Sequence, residues 1–181
     1  CSGPTTPAFP EAEPSAVAEA SPSPTPQRRP FTIAFGGDVH FEGILRTRLL
    51  ANPKTALGPI AKVLKRADLA MVNLETAITE GGTPAPGKQF TFRAPASALT
   101  ALKYAGVDVT TLANNHGMDY MESGLRDSLA AIRKSKFPVI GVGRNAAEAY
   151  RPYRKVVNGN RVSIIAATQV LDTEFIQAWT A

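Results

Sequence analysis

Phe31-Thr32-Ile33-Ala34-Phe35-Gly36-Gly37-Asp38-Val39-His40 is the stretch from which the fold of this chain is read. Its first residues are apolar, β-branched or aromatic, the composition of a fully buried strand. Two glycines stop the run and let the backbone turn sharply, so that the carboxylate of Asp38 can point into a site. In open α/β sheets ligands bind outside the carboxyl ends of the strands. A strand that runs straight into Asp and His is therefore a strand that delivers chemistry.

Downstream, the same pattern recurs. Residues 55–66 (TALGPIAKVLKR) predict a helix with Ile60, Val63 and Leu64 on one apolar face, and ADLAMVNLE (67–75) predicts the second strand. A Gly/Pro-rich loop over 79–94 contains GGTPAPGK. A helix is expected from Pro95, in its first turn, to Ala105, closed by Gly106. VDVTTLA (107–113) is the next strand, 122–135 the next helix and PVIGVG (138–143) the next strand. Two further runs, 153–157 and 161–167, flank Asn158-Gly159-Asn160, a strong hairpin signal. Strands alternating with helices imply βαβ units, and the closing hairpin implies mixed sheets, as when a second sheet begins.

Upstream, residues 1–30 have a different composition: proline recurs throughout and Phe9 is the only aromatic. Such a segment buries too little apolar area to offset its ordering entropy and is expected to be a disordered tether with polyproline II character. At about 3.1 Å per residue it would reach about 90 Å. Cys1, the one cysteine, opens this segment. Cys-Ser-Gly followed by a Pro/Ser/Ala-rich run resembles a mature bacterial lipoprotein, which places lipidation on Cys1 and the protein on the extracytoplasmic face of the cell membrane. The folded part is then residues 31–181, one domain. Of 181 residues 44% are hydrophobic and 19% charged, ordinary for one globular domain. No window approaches the roughly 18 unbroken apolar residues that span a bilayer. The net charge of +5 is mild, and its basic residues fall mostly on helix faces, read as solvated surface rather than a polyanion patch. No nucleic-acid partner is expected.

Three successive strands end in polar clusters: Gly36-Gly37-Asp38-Val39-His40, then Asn73-Leu74-Glu75, then Asn114-Asn115-His116 with Asp119 beyond. All three should meet on one rim of the sheet. They carry both histidines of the chain. Carboxylate, imidazole and carbonyl donors suit divalent first-row metals, and two ions about 3.5–4 Å apart can clamp a phosphoryl transfer. Asp38 has the alternative of an N-cap, and His40 that of capping the following helix. Thr76 and Arg93 are read as ordinary loop residues ahead of substrate contacts.

A strand into Gly-Asp, a second into Asn-Leu-Glu and a third into Asn-Asn-His, with an Asp three residues on, resembles the CapA family of capsule and poly-γ-glutamate synthesis proteins. The similarity runs on through Gly124-Leu125, Gly141-Val142-Gly143, Asn145, Ala149 and the Asn158–Ile165 hairpin. It implies a calcineurin-like metallophosphoesterase-type fold. Asp38-Val39-His40 matches the Asp-x-His motif of those enzymes. Glu75 takes the place of the bridging carboxylate, and Asn115-His116 matches the third motif, with Asn114 replacing its glycine. The resemblance implies that Asp38, His40, Glu75 and Asn115 ligate one or two divalent ions of the Mn, Fe, Zn or Mg type. It makes His116 the group that protonates a leaving group or stabilises an oxyanion, oriented by Asp119. Glu for Asp in the second motif lengthens one ligand. There is also no histidine after His116, where the family pattern takes further ligands, so the chain is expected to be the amino-terminal part of a longer domain.

Three functions remain open: a lipid-anchored protein of envelope-polymer synthesis with a metal-dependent hydrolase-type site, a non-catalytic scaffold for an anionic polymer or a membrane-embedded synthase, and a secreted phosphodiesterase of small substrates.

Overall fold

The computed structural model describes residues 27–170. In chain order the elements begin with β1 (Ile33–Val39), α1 (Ile44–Ala51), a 3-10 turn (Pro53–Thr55), α2 (Ile60–Leu64) and β2 (Leu69–Leu74). There follow β3 (Ala77–Ile78), β4 (Arg93–Ala94), α3 (Ser97–Ala105), β5 (Val109–Thr111) and α4 (Met121–Ser135). The last are β6 (Val139–Ile140), α5 (Ala146–Ala149), β7 (Tyr153–Val157) and β8 (Asn160–Ile164). β1, β2, β5 and β6 form one sheet in that order, every pair parallel. The expected α/β fold with its run of βαβ units is present. The closing hairpin β7–β8 is a separate antiparallel pair, so each sheet is unmixed and a second one begins where the Asn-Gly signal stood. Asn158 and Gly159 both have positive φ, 48° and 80°, the backbone of the turn type that Asn-Gly favours.

The side-chain period of two divides the sheet. Ala34, Ala70, Val72 and Leu74 face the helices and join Leu49, Leu64, Leu99 and Leu102 in the main core. Ile33, Leu69, Met71 and Val109 face the other way and pack under the hairpin, against Tyr153, Val157, Val162 and Ile164.

β1 departs from the fully buried strand expected of it. It is an edge strand that runs on through both glycines to Val39, and Phe35 is 71% exposed. Between Phe35↔Met71 and Asp38↔Asn73 the register gains one residue on β1, a bulge at Gly36-Gly37. One extra residue reverses the facing of everything after it. By this bulge Asp38 shares the face of Asn73 instead of pointing toward the helices. At Gly36 a Cβ would lie 2.8 Å from Val72 Cγ1, so the strand approaches β2 closely there.

The expected helix over 55–66 is shorter. Gly58 has φ 56° and precedes Pro59, so the chain turns at 56–59 and only α2 is α-helical. Its expected apolar face is not buried: Leu64 is, whereas Ile60 and Val63 are exposed. Helix α1 was not read from the sequence. It starts after Gly43 with no side-chain cap, and Ile44 and Leu50 stay exposed while Leu49 is buried, so it has neither a start signal nor a clean apolar stripe. The loop over 79–94 is flanked by a short parallel pair, β3 with β4. The helix closed by Gly106 begins at Ser97, and Gly106 sits at φ 90° as a left-handed cap.

The tether expected over 1–30 reaches the domain before its end. The Arg29 N–H donates to the Asn158 carbonyl at 2.9 Å, and the Asn158 and Asn160 side-chain amides donate to the carbonyls of Pro30 (3.1 Å) and Arg29 (2.7 Å). Residues 27–30 thus lie across the hairpin turn. Phe9 and the rest of 1–26, with Cys1, fall outside the described residues, as do residues 171–181. Among the described residues no helix is long and apolar enough to cross a membrane.

Candidate functional site

The three strand ends meet on one rim, linked by side-chain amides. Asn73, on β2, donates from Nδ2 to Asp38 Oδ1 at 2.8 Å, which the bulge makes possible. Asn114, just past β5, donates from Nδ2 to Asn73 Oδ1 at 2.8 Å and to the Leu74 carbonyl at 3.0 Å. Its own Oδ1 accepts the His116 N–H at 2.9 Å. Asp38, Asn73, Asn114 and the backbone of His116 thereby form one chain of hydrogen bonds across three strands. Asp38 lies inside β1 and Gly43 caps α1, so neither cap alternative for Asp38 or His40 applies.

Beyond this chain lies the most buried polar group of the rim. Asp119 is fully buried. Its Oδ2 lies 2.7 Å from His116 Nδ1 and accepts the Phe92 N–H at 2.5 Å. Its Oδ1 lies 2.6 Å from Lys88 Nζ, an ion pair whose lysine is also largely buried. A buried carboxylate is tolerated only when paired and hydrogen-bonded, and here all of these partners converge on it. Lys88 also donates to the Asn115 carbonyl. The carbonyl of Asp119 accepts the Ala85 N–H at 2.8 Å. Loop 79–94 is therefore fastened to the rim at Ala85, Lys88 and Phe92.

With Nδ1 engaged by Asp119, His116 presents Nε2 to the rim, 3.8 Å from Glu75 Oε1. A proton on Nδ1 shared with the carboxylate leaves Nε2 as an acceptor, and protonation there makes it a donor. This arrangement can move a proton at Nε2, with Asp119 fixing ring and tautomer.

His40 occupies the other side of Phe92. The three rings stack His40–Phe92–His116, with centroids 4.6 Å and 4.4 Å apart. His40 Nδ1 is buried with no hydrogen-bond partner among the described residues. Asp38 is exposed. Among the described residues no three Asp, Glu, His or Cys side chains come together as a metal group. Phe92 fills the space between the two imidazoles, and Lys88 donates to the carbonyl of Asn115. In this arrangement the described residues do not fit a two-metal centre.

Thr76 is fully buried, so it does not line the rim, and the Arg93 guanidinium lies over the Tyr120 ring at 5.2 Å and donates to the Glu80 carbonyl. Both act in packing. Lys88 and Phe92 were missed by sequence reasoning because they sit in a loop without periodicity, 24 or more residues from their partners. The one local signal is Gly87, at φ 72° directly before Lys88, which shows a turn but not its target.

Residues 32–180 match the model of the family described as bacterial capsule synthesis protein PGA_cap, which is metallophosphoesterase-like. A probable polyglutamine synthesis accessory protein of Mycobacterium tuberculosis is 30% identical over 114 residues, covering 63% of this chain and 30% of that protein. The capsule biosynthesis protein CapA of Bacillus anthracis is 28% identical over 112 residues, 60% of this chain and 27% of that protein. The PGA biosynthesis protein CapA of Bacillus subtilis is 25% identical over 114 residues, 61% of this chain and 30% of that protein. The chain thus spans less than a third of the length of these relatives. With a match that covers most of its residues, the chain belongs to the PGA_cap family of bacterial capsule synthesis proteins.

Proposed function

We propose that this chain serves the synthesis of a polyglutamate-type capsule polymer at the cell envelope, and that its strand-end rim handles the polymer or its precursor by proton transfer at His116. The observation that carries the reading is the His116 ring, clamped at Nδ1 by a buried Asp119 that Lys88 backs, with Nε2 left facing Glu75. Proton transfer from a positioned side chain contributes about 10²–10⁴-fold to a reaction. His116 supplies that group, Asp119 and Lys88 orient it, and Asn73 and Asn114 hold the strand ends that frame it. The reading rests on the imidazole and not on a metal, since among the described residues Asp38, His40 and Glu75 form no metal-ligating group.

The test is complementation of a strain lacking the natural full-length protein, with polymer yield as readout. His116→Ala and Asp119→Asn should both reduce yield at least about tenfold at unchanged protein level. Full yield from His116→Ala would sink the catalytic reading. That outcome favours a second reading, a non-catalytic scaffold for polymer or synthase. Envelope localisation is proposed through a lipid on Cys1. Cys1→Ser in the processed protein should move it from the membrane to the soluble fraction, and an unchanged membrane fraction would remove the anchor.

A further inference from the structure

Away from the rim, a groove of about 540 Å³ runs along β6, the edge strand of the parallel sheet. Helix α4 forms one bank with Ile132 and Arg133, and the chain leading into β7 forms the other with Arg151 and Pro152. Val139 and Val142 make an apolar floor. No residue of the Asp38–His116 cluster lines it.

The charge of the groove is uneven. Three arginines, Arg133, Arg144 and Arg151, face a single carboxylate, Glu148. That carboxylate is consumed by Arg144. The Arg144 Nε donates to its two oxygens at 3.0 Å and 3.2 Å, Nη2 donates at 2.5 Å, and the Arg144 N–H adds a bond at 3.0 Å. These bonds, with a smaller contribution from the Arg151 charge, hold the Glu148 carboxyl down at about 2, so it stays ionised and committed. Among the described residues the side chains of Arg133 and Arg151 make no hydrogen bond or ion pair. Two exposed guanidinium groups thus stand over an apolar floor beside a strand edge.

Each feature selects for a property of the ligand. Free guanidinium groups bind carboxylates bidentately. An apolar floor accepts methylene groups, and the outer edge of β6, which pairs with no further strand among the described residues, offers N–H and C=O groups to a chain that carries amides of its own. Polyphosphates and sulfated sugars match the charge but neither of the other two. We propose that this groove is a second ligand site, which grips an amide-linked polyacid of the polyglutamate class through Arg133 and Arg151. The ligand class rests on the capsule-polymer reading above, while the location is independent of the rim.

The experiment is fluorescence anisotropy of a labelled polyglutamate oligomer titrated with the full chain, at low and at physiological salt. The double variant Arg133→Ala/Arg151→Ala should weaken binding about tenfold or more. Lys62→Ala/Lys134→Ala, which removes the same charge from exposed positions outside the groove, should change it less than about twofold. Unlabelled polyglutamate should compete better than polyphosphate of equal charge. Three results overturn the site: no binding by the wild-type chain, equal losses in the two double variants, or equal competition by polyphosphate. Failure of the rim reading appears separately, as full polymer yield with His116→Ala. Intact binding by Arg133→Ala/Arg151→Ala beside lost yield in His116→Ala would discard the groove and leave the rim standing.

Discussion

The two ends of the parallel sheet both carry carboxylates, and what surrounds them differs. At the amino-terminal end Asp68 accepts the Thr32 N–H at 2.8 Å and the Thr32 hydroxyl at 2.9 Å, and Asn158 of the hairpin turn lies 3.4 Å away. Asp108 accepts the Ala70 N–H at 2.8 Å and the Lys155 ammonium at 2.6 Å, so it ties β2 to the hairpin. Those carboxylates stitch strands together and their oxygens are used. At the carboxyl-terminal rim Asp38 has one amide partner, and Glu75 faces His116 across 3.8 Å. Residue type does not separate the acids of the two ends; the number of partners does. Asp119 is the exception at the rim: ion-paired with Lys88 through Oδ1 and bonded to His116 Nδ1 and the Phe92 N–H through Oδ2, it leaves His116 Nε2 facing the rim.

The largest effect expected along this divide is at Asp119. Asp119→Ala removes the carboxylate that offsets the buried Lys88 charge and should cost about 3–5 kcal/mol in urea unfolding. A loss below about 1 kcal/mol would show that Lys88 swings out to solvent and that the clamp is not rigid. Next comes Asn114→Ala, which strands the Asn73 oxygen, the Leu74 carbonyl and the His116 N–H. It should cost about 1–3 kcal/mol and shift the His116 ring resonances in NMR. Unmoved resonances would sever the amide chain from the imidazole.

Asp68 supplies a pH test of the opposite end. The Thr32 N–H and hydroxyl hold its carboxyl below the ordinary 3.8. A folded-state value below the unfolded one gives stability that is present above the ordinary value and lost as pH falls through the lowered one. Asp68→Asn should therefore flatten the acid limb of the stability profile in that range and leave neutral pH nearly unchanged. An identical acid limb would place the acid sensitivity elsewhere. The smallest effect belongs to Asp38→Ala, within about 0.5 kcal/mol of wild type because the residue is exposed and singly bonded. If Asp38→Ala unfolds the chain as readily as Asp119→Ala, the rim acid is structural and the contrast between the two ends fails.

Much of this was legible in the residues. Apolar runs ending in Gly-Asp, Asn-Leu-Glu and Asn-Asn-His identified three strands whose ends must meet, because parallel neighbours place all their carboxyl ends on one side. Asn158-Gly159 specified the hairpin and Gly106 the end of α3, since each rests on backbone geometry that a few neighbouring residues dictate. Where local signals were weak or interrupted, the reading failed. Helix α1 has no cap to announce it, and Gly58-Pro59 divided a helix that the apolar spacing had joined.

The site itself shows the same division more sharply. Residue type alone put Asp38, Glu75, His116 and Asp119 on one rim. Their roles depended on contacts between residues 27 to 41 apart in the chain: Lys88 on Asn115, Phe92 on Asp119, Asn73 on Asp38 and Asn114 on Asn73. A bulge of one residue chose the face of Asp38, and a loop phenylalanine separated two histidines that their positions on the strands had brought together. The sequence by itself determined which chemistry reaches the rim, through short-range periodicity and turn preference. The tertiary structure decided which of those groups meet, because register and loop closure are settled by packing between distant segments.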